Sequence, residues 1–186
     1  MSLVPVFRIG VWNAWIFMAL LFLLIMLSGL LPKDIGKRIT PAKEAKKTRN
    51  MMLIVFFALM IYSIFLPLKT GGIWFYAGLA VYILGLIISA AALFSIGATK
   101  SGDPFTTGIY QYSRHPISLG TLLSVIGVGI ASASWLFLLL SAMMIVASHI
   151  LAISEERATA KKLGSVYNEY TAQTPRWIGL PKASKK

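Results

Sequence analysis

The chain has 186 residues, 57% of them hydrophobic and 13% charged, with a formal net charge of +12. Soluble domains carry about 25% charged residues, so this is the composition of a membrane protein. With no cysteine, disulfides, thiolate metal sites and thiol nucleophiles are excluded, and the basic residues, set in short segments between apolar runs, fit anionic headgroups better than nucleic acid.

Apolar runs of about 18 or more residues read as transmembrane helices, because roughly 20 residues at 1.5 Å rise cross the hydrocarbon. Five such runs occur, at about residues 9–31, 51–68, 73–96, 117–133 and 135–153. The first is too long for a secretory leader and lacks its basic start, so it reads as a retained helix. The fourth and fifth meet at the small residues around Ser132-Ala133-Ser134, which predicts a tight helical hairpin. The expected fold is all-α: one integral membrane domain over 1–186, with five transmembrane helices, the last two a hairpin, and a C-terminal cytoplasmic amphipathic helix.

Segment 32–50 holds Lys33, Lys37, Arg38, Lys43, Lys46, Lys47 and Arg49. If it lies inside, alternation of the five runs puts sixteen of the eighteen Lys and Arg there and leaves Arg8 and Lys69 outside. The positive-inside rule then predicts an external N-terminus and a cytoplasmic C-terminus. It also puts Arg114-His115, before the fourth run, and Glu155-Glu156, after the fifth, on one cytoplasmic face. Charged residues beside membrane segments are costly and usually face a polar interior or water. Two such clusters at one face predict a reaction site open to soluble cofactors and, sideways, to lipids. Taken alone, an Arg-His at a helix end is more often a headgroup anchor.

After Ile153 the character changes. Ser154 is expected to cap a new helix whose first turn carries Glu155 and Glu156. Leu163, Tyr167 and Tyr170 recur at helical spacing, and the stripe projects back through Ala160 to Glu156. Glu155 falls about 100° away, so the two carboxylates need not share one task. Gly164 suggests close backbone packing, and Pro175-Arg176-Trp177-Ile178 resembles an interfacial aromatic anchor. His149, near the cytoplasmic end of the fifth run, reads equally as a ligand or proton relay and as a satisfied interhelical histidine. Asp103, beside Pro104, reads as a turn residue. Two histidines and six acids, without metal-ligand spacing, predict no metal site. Gly127 and Gly129 fall mid-membrane, where small residues let helices approach closely.

The string Thr106-Thr107-Gly108-Ile109-Tyr110-Gln111-Tyr112-Ser113-Arg114-His115-Pro116, then Gly120, Glu155-Glu156, Leu163-Gly164-Ser165-Val166-Tyr167-Asn168-Glu169-Tyr170 and Pro175-Arg176-Trp177-Ile178, resembles the isoprenylcysteine carboxyl methyltransferases. The related phospholipid methyltransferases share much of it. The resemblance covers roughly residues 97–180, and residues 1–72 carry none of it. It implies a membrane methyltransferase using S-adenosyl-L-methionine, similar to a short prokaryotic member in the plasma membrane. By position, Gly108, Tyr110, His115, Glu155 and Glu156 would form the cofactor pocket, with Arg114 near the reacting group. Two positions depart from the pattern: Ser118 where a tyrosine is usual, and Leu151 where several isoprenylcysteine enzymes have an arginine.

The acceptor is expected to be a lipidic or prenylated molecule among membrane lipids, and nucleic acid is not expected. A carboxylate acceptor, already ionised at pH 7, needs no base, and Arg114 would orient it. An amine acceptor needs a proton removed, for which Glu155, Glu156 or His149 would serve. A nicotinamide-binding relative of the sterol reductases and a non-catalytic membrane scaffold are the rival readings.

Overall fold

The computed structural model describes residues 8–28, 46–99 and 106–181. Asp103, the basic residues at 33–43, 100 and 182–186, and the end of the first apolar run lie outside them. The described elements are helices: α1 (Trp15–Ser28), α2 (Lys46–Ile64), α3 (Ile73–Ala98), a short 3-10 helix (Gly108–Gln111), α4 (Pro116–Ala131), α5 (Trp135–Leu163) and α6 (Ser165–Gln173). Among the described residues there is no strand, only an isolated bridge between Asn13 and Pro67.

Three helices, α2, α3 and α5, are long and apolar enough to cross a membrane. The helices of the first and fourth runs are apolar but shorter, at 14 and 16 residues. The first apolar run becomes helical only at Trp15 because the residues before it are tied to the α2–α3 connection. Leu66 accepts from the Ala14 amide at 2.9 Å, Trp12 accepts from the Leu68 amide at 3.2 Å, and buried Asn13 donates to Ile64 at 2.7 Å. An asparagine buried there would be costly without those partners.

The expected hairpin forms. Ser132 ends α4, Ala133 turns the chain at φ 51°, and Ser134 caps α5 by accepting from the Phe137 amide at 3.3 Å. The α3–α4 pair is antiparallel and nearly side-chain-free at its centre. A Cβ on Gly127 would lie 2.7 Å from the Gly78 carbonyl, and one on Gly120 would lie 2.6 Å from that of Gly85. Glycines spaced by seven on both helices therefore let the backbones touch. Gly129 faces α5 instead, against Leu138. Tyr82 ties α1 to this pair, stacking on Phe17 at 4.7 Å and donating to the Phe17 carbonyl at 2.7 Å.

Two expectations for the C-terminal region are corrected. No helix begins at Ser154: α5 runs unbroken from Trp135 to Leu163, and the Ser154 hydroxyl donates back to Ile150 at 3.1 Å. At 1.5 Å per residue its 29 residues span roughly 43 Å, against about 30 Å of hydrocarbon. The apolar part ends at Ile153, and the polar part carrying Glu155 and Glu156 is a continuation beyond it. Gly164 is not a packing glycine either. It ends α5 at φ 59°, and nothing lies within 4 Å of where its Cβ would be. The bulk-free residue is used for its left-handed backbone, which reverses the chain into α6.

Candidate active site

Pro116 occupies the first turn of α4, where its fixed φ and missing amide cost nothing. That start holds Arg114 and His115 just outside the helix, beside the polar extension of α5. The segment after α6 then doubles back over both. The Arg114 amide donates to the Pro175 carbonyl at 3.1 Å, and the Gly179 amide donates to Tyr112 at 3.1 Å. Ser113 accepts from the His115 amide at 3.2 Å and donates to the Arg176 carbonyl at 3.3 Å.

Glu156 is the centre of this arrangement. Arg176 donates to it through two nitrogens, each at 2.8 Å, a bidentate pair. Arg114 Nη2 approaches at 3.3 Å and His115 Nε2 at 3.2 Å. Glu155 is placed differently: Nδ1 of His115 lies 3.6 Å from its carboxylate. The two ring nitrogens of one histidine thus face the two glutamates. Arg114 Nε is buried and has no hydrogen-bond partner among the described residues.

These surroundings push the two carboxylates apart. Burial would raise Glu156, but hydrogen bonds from Arg176 and His115 and the charges of Arg114 and Arg176 outweigh it and hold it at about 2. Glu155 is raised above the ordinary carboxylate range by burial, with His115 and Arg49 only partly opposing. Burial pushes Tyr167 up to about 12, helped by the charge of Glu156, and raises Tyr110 and Tyr170 as well. A hydrogen bond to Glu156 raises Arg176 in turn.

Gly108 and Tyr110 stand one segment earlier. Gly108 opens the 3-10 helix at φ 62°, where a Cβ would meet the Ser95 side chain. Tyr110 is buried with Ala92 and Ile96 of α3. The Tyr170 hydroxyl donates to the Tyr110 carbonyl at 2.7 Å and so ties this segment to α6. Arg114, His115, Glu155 and Glu156 therefore form one contact cluster, with Gly108 and Tyr110 joined to it through the backbone. Sequence reasoning missed Arg176, Ser113 and Tyr170 as members. The signal for Arg176 was the Pro175-Arg176-Trp177-Ile178 string, read as an interfacial anchor; the turn at Gly164 that brings this segment back onto Glu156 was not foreseen.

Two apolar grooves flank the cluster. One, of about 450 Å³, runs between α4 and α5 past Leu119, Leu122, Ile126 and Ile145, with His149 and Trp177 also lining it. The other, of about 440 Å³, lies past Ile88, Ile109, Leu119 and Ile178. Among the described residues no group of three or more His, Cys, Asp or Glu side chains is arranged to hold a metal.

The family model for phospholipid methyltransferases matches residues 73–166, half of the chain. The chain belongs to the phospholipid methyltransferase family. The match runs from the start of α3 into α6, so it includes Gly108, Tyr110, Arg114, His115, Glu155 and Glu156, whereas Arg176 and Trp177 lie beyond it. No curated protein matches the chain. As a phospholipid methyltransferase family member with three spanning-length apolar helices, the protein is a membrane methyltransferase for a lipid-like substrate.

Proposed function

We propose that this methyltransferase moves a methyl group from S-adenosyl-L-methionine to the amine of a membrane phospholipid, at the cytoplasmic face of a prokaryotic plasma membrane. The observation that carries this reading is the unequal state of the two carboxylates. Glu156 is taken up by Arg176, Arg114 and His115, while among the described residues Glu155 has His115 alone within ion-pair distance.

The residues fit the cofactor's chemistry. A desolvated carboxylate, Glu155, and the tyrosines of α6 suit a cation, and Gly108 lets backbone come close where a side chain would collide with Ser95. The buried, unpartnered Arg114 Nε suits an anionic group. Gly108, Tyr110, His115, Glu155 and Glu156 would hold the cofactor, Glu156 chiefly by fixing Arg114 and His115. When bound, S-adenosyl-L-methionine supplies a methyl group on a positively charged sulfur.

The protein's part is positioning, exclusion of water and one proton transfer. A phospholipid amine is protonated at neutral pH and must lose a proton before it can attack. The carboxylate form of Glu155, whose burial raises its affinity for a proton, accepts that proton. Arg114 offers its free Nε–H to an anionic oxygen of the acceptor. The carboxyl-methylation alternative lacks a second cation for the substrate carboxylate, because Leu151 stands where several isoprenylcysteine enzymes have an arginine. Nitrogen is the better acceptor.

Incubation of detergent-solubilised protein with methyl-labelled S-adenosylmethionine and phosphatidylethanolamine tests this. A base-stable label in the lipid is expected. A volatile label released by alkali from a total lipid extract would move the acceptor to a carboxylate, and no labelled lipid of any kind would end the proposal.

A further inference from the structure

We propose that His149 recognises the acceptor lipid, presenting its Nε2–H from the groove between α4 and α5 to an oxygen at the junction of a phospholipid's headgroup and chains. The inference deepens the lipid-methyltransferase reading and rests on it for the identity of the acceptor.

His149 is exposed on α5, one turn before the apolar part of that helix ends. A polar ring at that depth is costly unless its nitrogens are satisfied. One of them is: Trp177 Nε1 donates to His149 Nδ1 at 3.4 Å, with the two rings 27° from parallel and 6.1 Å apart. An indole N–H can only donate. Nδ1 must therefore be the accepting nitrogen, and in the neutral ring the proton sits on Nε2. This fixes His149 as a donor and removes it from the candidate bases, because its free side carries a proton rather than a lone pair.

Nε2 has no partner among the described residues, and His149 lines a groove whose other walls include Leu122, Ile126, Ile145 and Val146. A ligand that satisfies both must bring hydrocarbon and an acceptor oxygen together. The groove lies along the apolar part of α5, so its occupant is a lipid chain, and the oxygen is the one at the top of that chain. Continuity with the reaction site comes from Trp177, whose ring is also 6.1 Å from His115. Trp177 is a positioning residue: its own place is set by Arg176 on Glu156 and by the Gly179–Tyr112 hydrogen bond.

The test uses a phosphatidylethanolamine carrying a diazirine midway along one acyl chain, in mixed micelles with the full-length protein. Photolabelling is expected at Leu122, Ile126, Ile145 or Val146. At subsaturating lipid, His149→Leu should cut it about tenfold, the equivalent of ~1.4 kcal/mol. His149→Gln keeps an N–H donor and should recover most of the labelling. Trp177→Phe keeps a ring but loses the tautomer constraint and should fall about threefold. In methyl-transfer assays the same variants should raise KM for the lipid by matching factors and leave KM for S-adenosylmethionine unchanged. If wild type labels as described but transfers no methyl group, the functional reading fails and the recognition site stands. Equal labelling of wild type and His149→Leu, failure of His149→Gln to recover any, or labelling confined to other helices overturns the inference.

Discussion

Glu156 is held by two arginines and a histidine, yet it is the carboxylate we assign no proton transfer. Its low value, about 2 against an ordinary 4.5, means the folded state favours its ionised form. The stability it contributes is therefore full above about 4.5 and is lost as pH falls toward 2. Glu155 has the opposite sign: its raised value makes the folded protein hold that proton more tightly, so ionising it costs stability as pH rises through the carboxylate range. Glu156→Gln should accordingly flatten the acid side of the stability profile, measured as the thermal midpoint in detergent against pH. Methyl transfer, which needs ionised Glu155, should rise with pH through the raised Glu155 value, and Glu155→Gln should abolish it while leaving membrane insertion intact. Arg176→Ala removes a bidentate pair and should cost about 2 kcal/mol, or roughly 4–8 °C of midpoint. A midpoint unchanged in Arg176→Ala would mean the segment after α6 is held by its backbone hydrogen bonds alone.

At the scale of elements, the contact between α3 and α4 sets where Arg114 and His115 stand. Gly127→Ala puts a methyl group against the Gly78 carbonyl and should destabilise by about 1–3 kcal/mol. Gly97→Ala, in the same helix pair but with nothing near its Cβ, should be neutral or gain up to about 1 kcal/mol. Equal effects of the two on the thermal midpoint would refute backbone contact as the reason for glycine. These helices and the hairpin were legible because apolar run length and small residues carry the information locally. The joint between α5 and its polar extension was not, because composition changes at Ser154 while the hydrogen-bond ladder does not: a helix need not end where the hydrocarbon ends. Arg114, His115 and the two glutamates could be placed at one face by alternation alone. The partner of Glu156 could not, since Arg176 reaches it only after a left-handed turn at Gly164 whose direction the sequence does not state.

For the whole molecule, the orientation is a proposal resting on the distribution of sixteen against two basic residues. The absence of native cysteine makes it directly testable. In sealed cells an impermeant maleimide should label Thr70→Cys and spare Lys161→Cys until the membrane is opened. The reverse pattern would put the cluster on the outer face, away from cytoplasmic S-adenosylmethionine. The family fixes methyl transfer to a lipid-like substrate, and the cluster supplies a carboxylate, a free arginine nitrogen and adjoining apolar grooves. The claim that joins them is that S-adenosylmethionine binds at this cluster. Calorimetric titration of the detergent-solubilised protein with S-adenosylhomocysteine tests it most directly, with NADPH titrated alongside. Saturable binding of S-adenosylhomocysteine that is lost in Glu155→Ala, with no NADPH binding, is the expected result. Binding of NADPH alone, or S-adenosylhomocysteine binding indifferent to Glu155, would contradict the account.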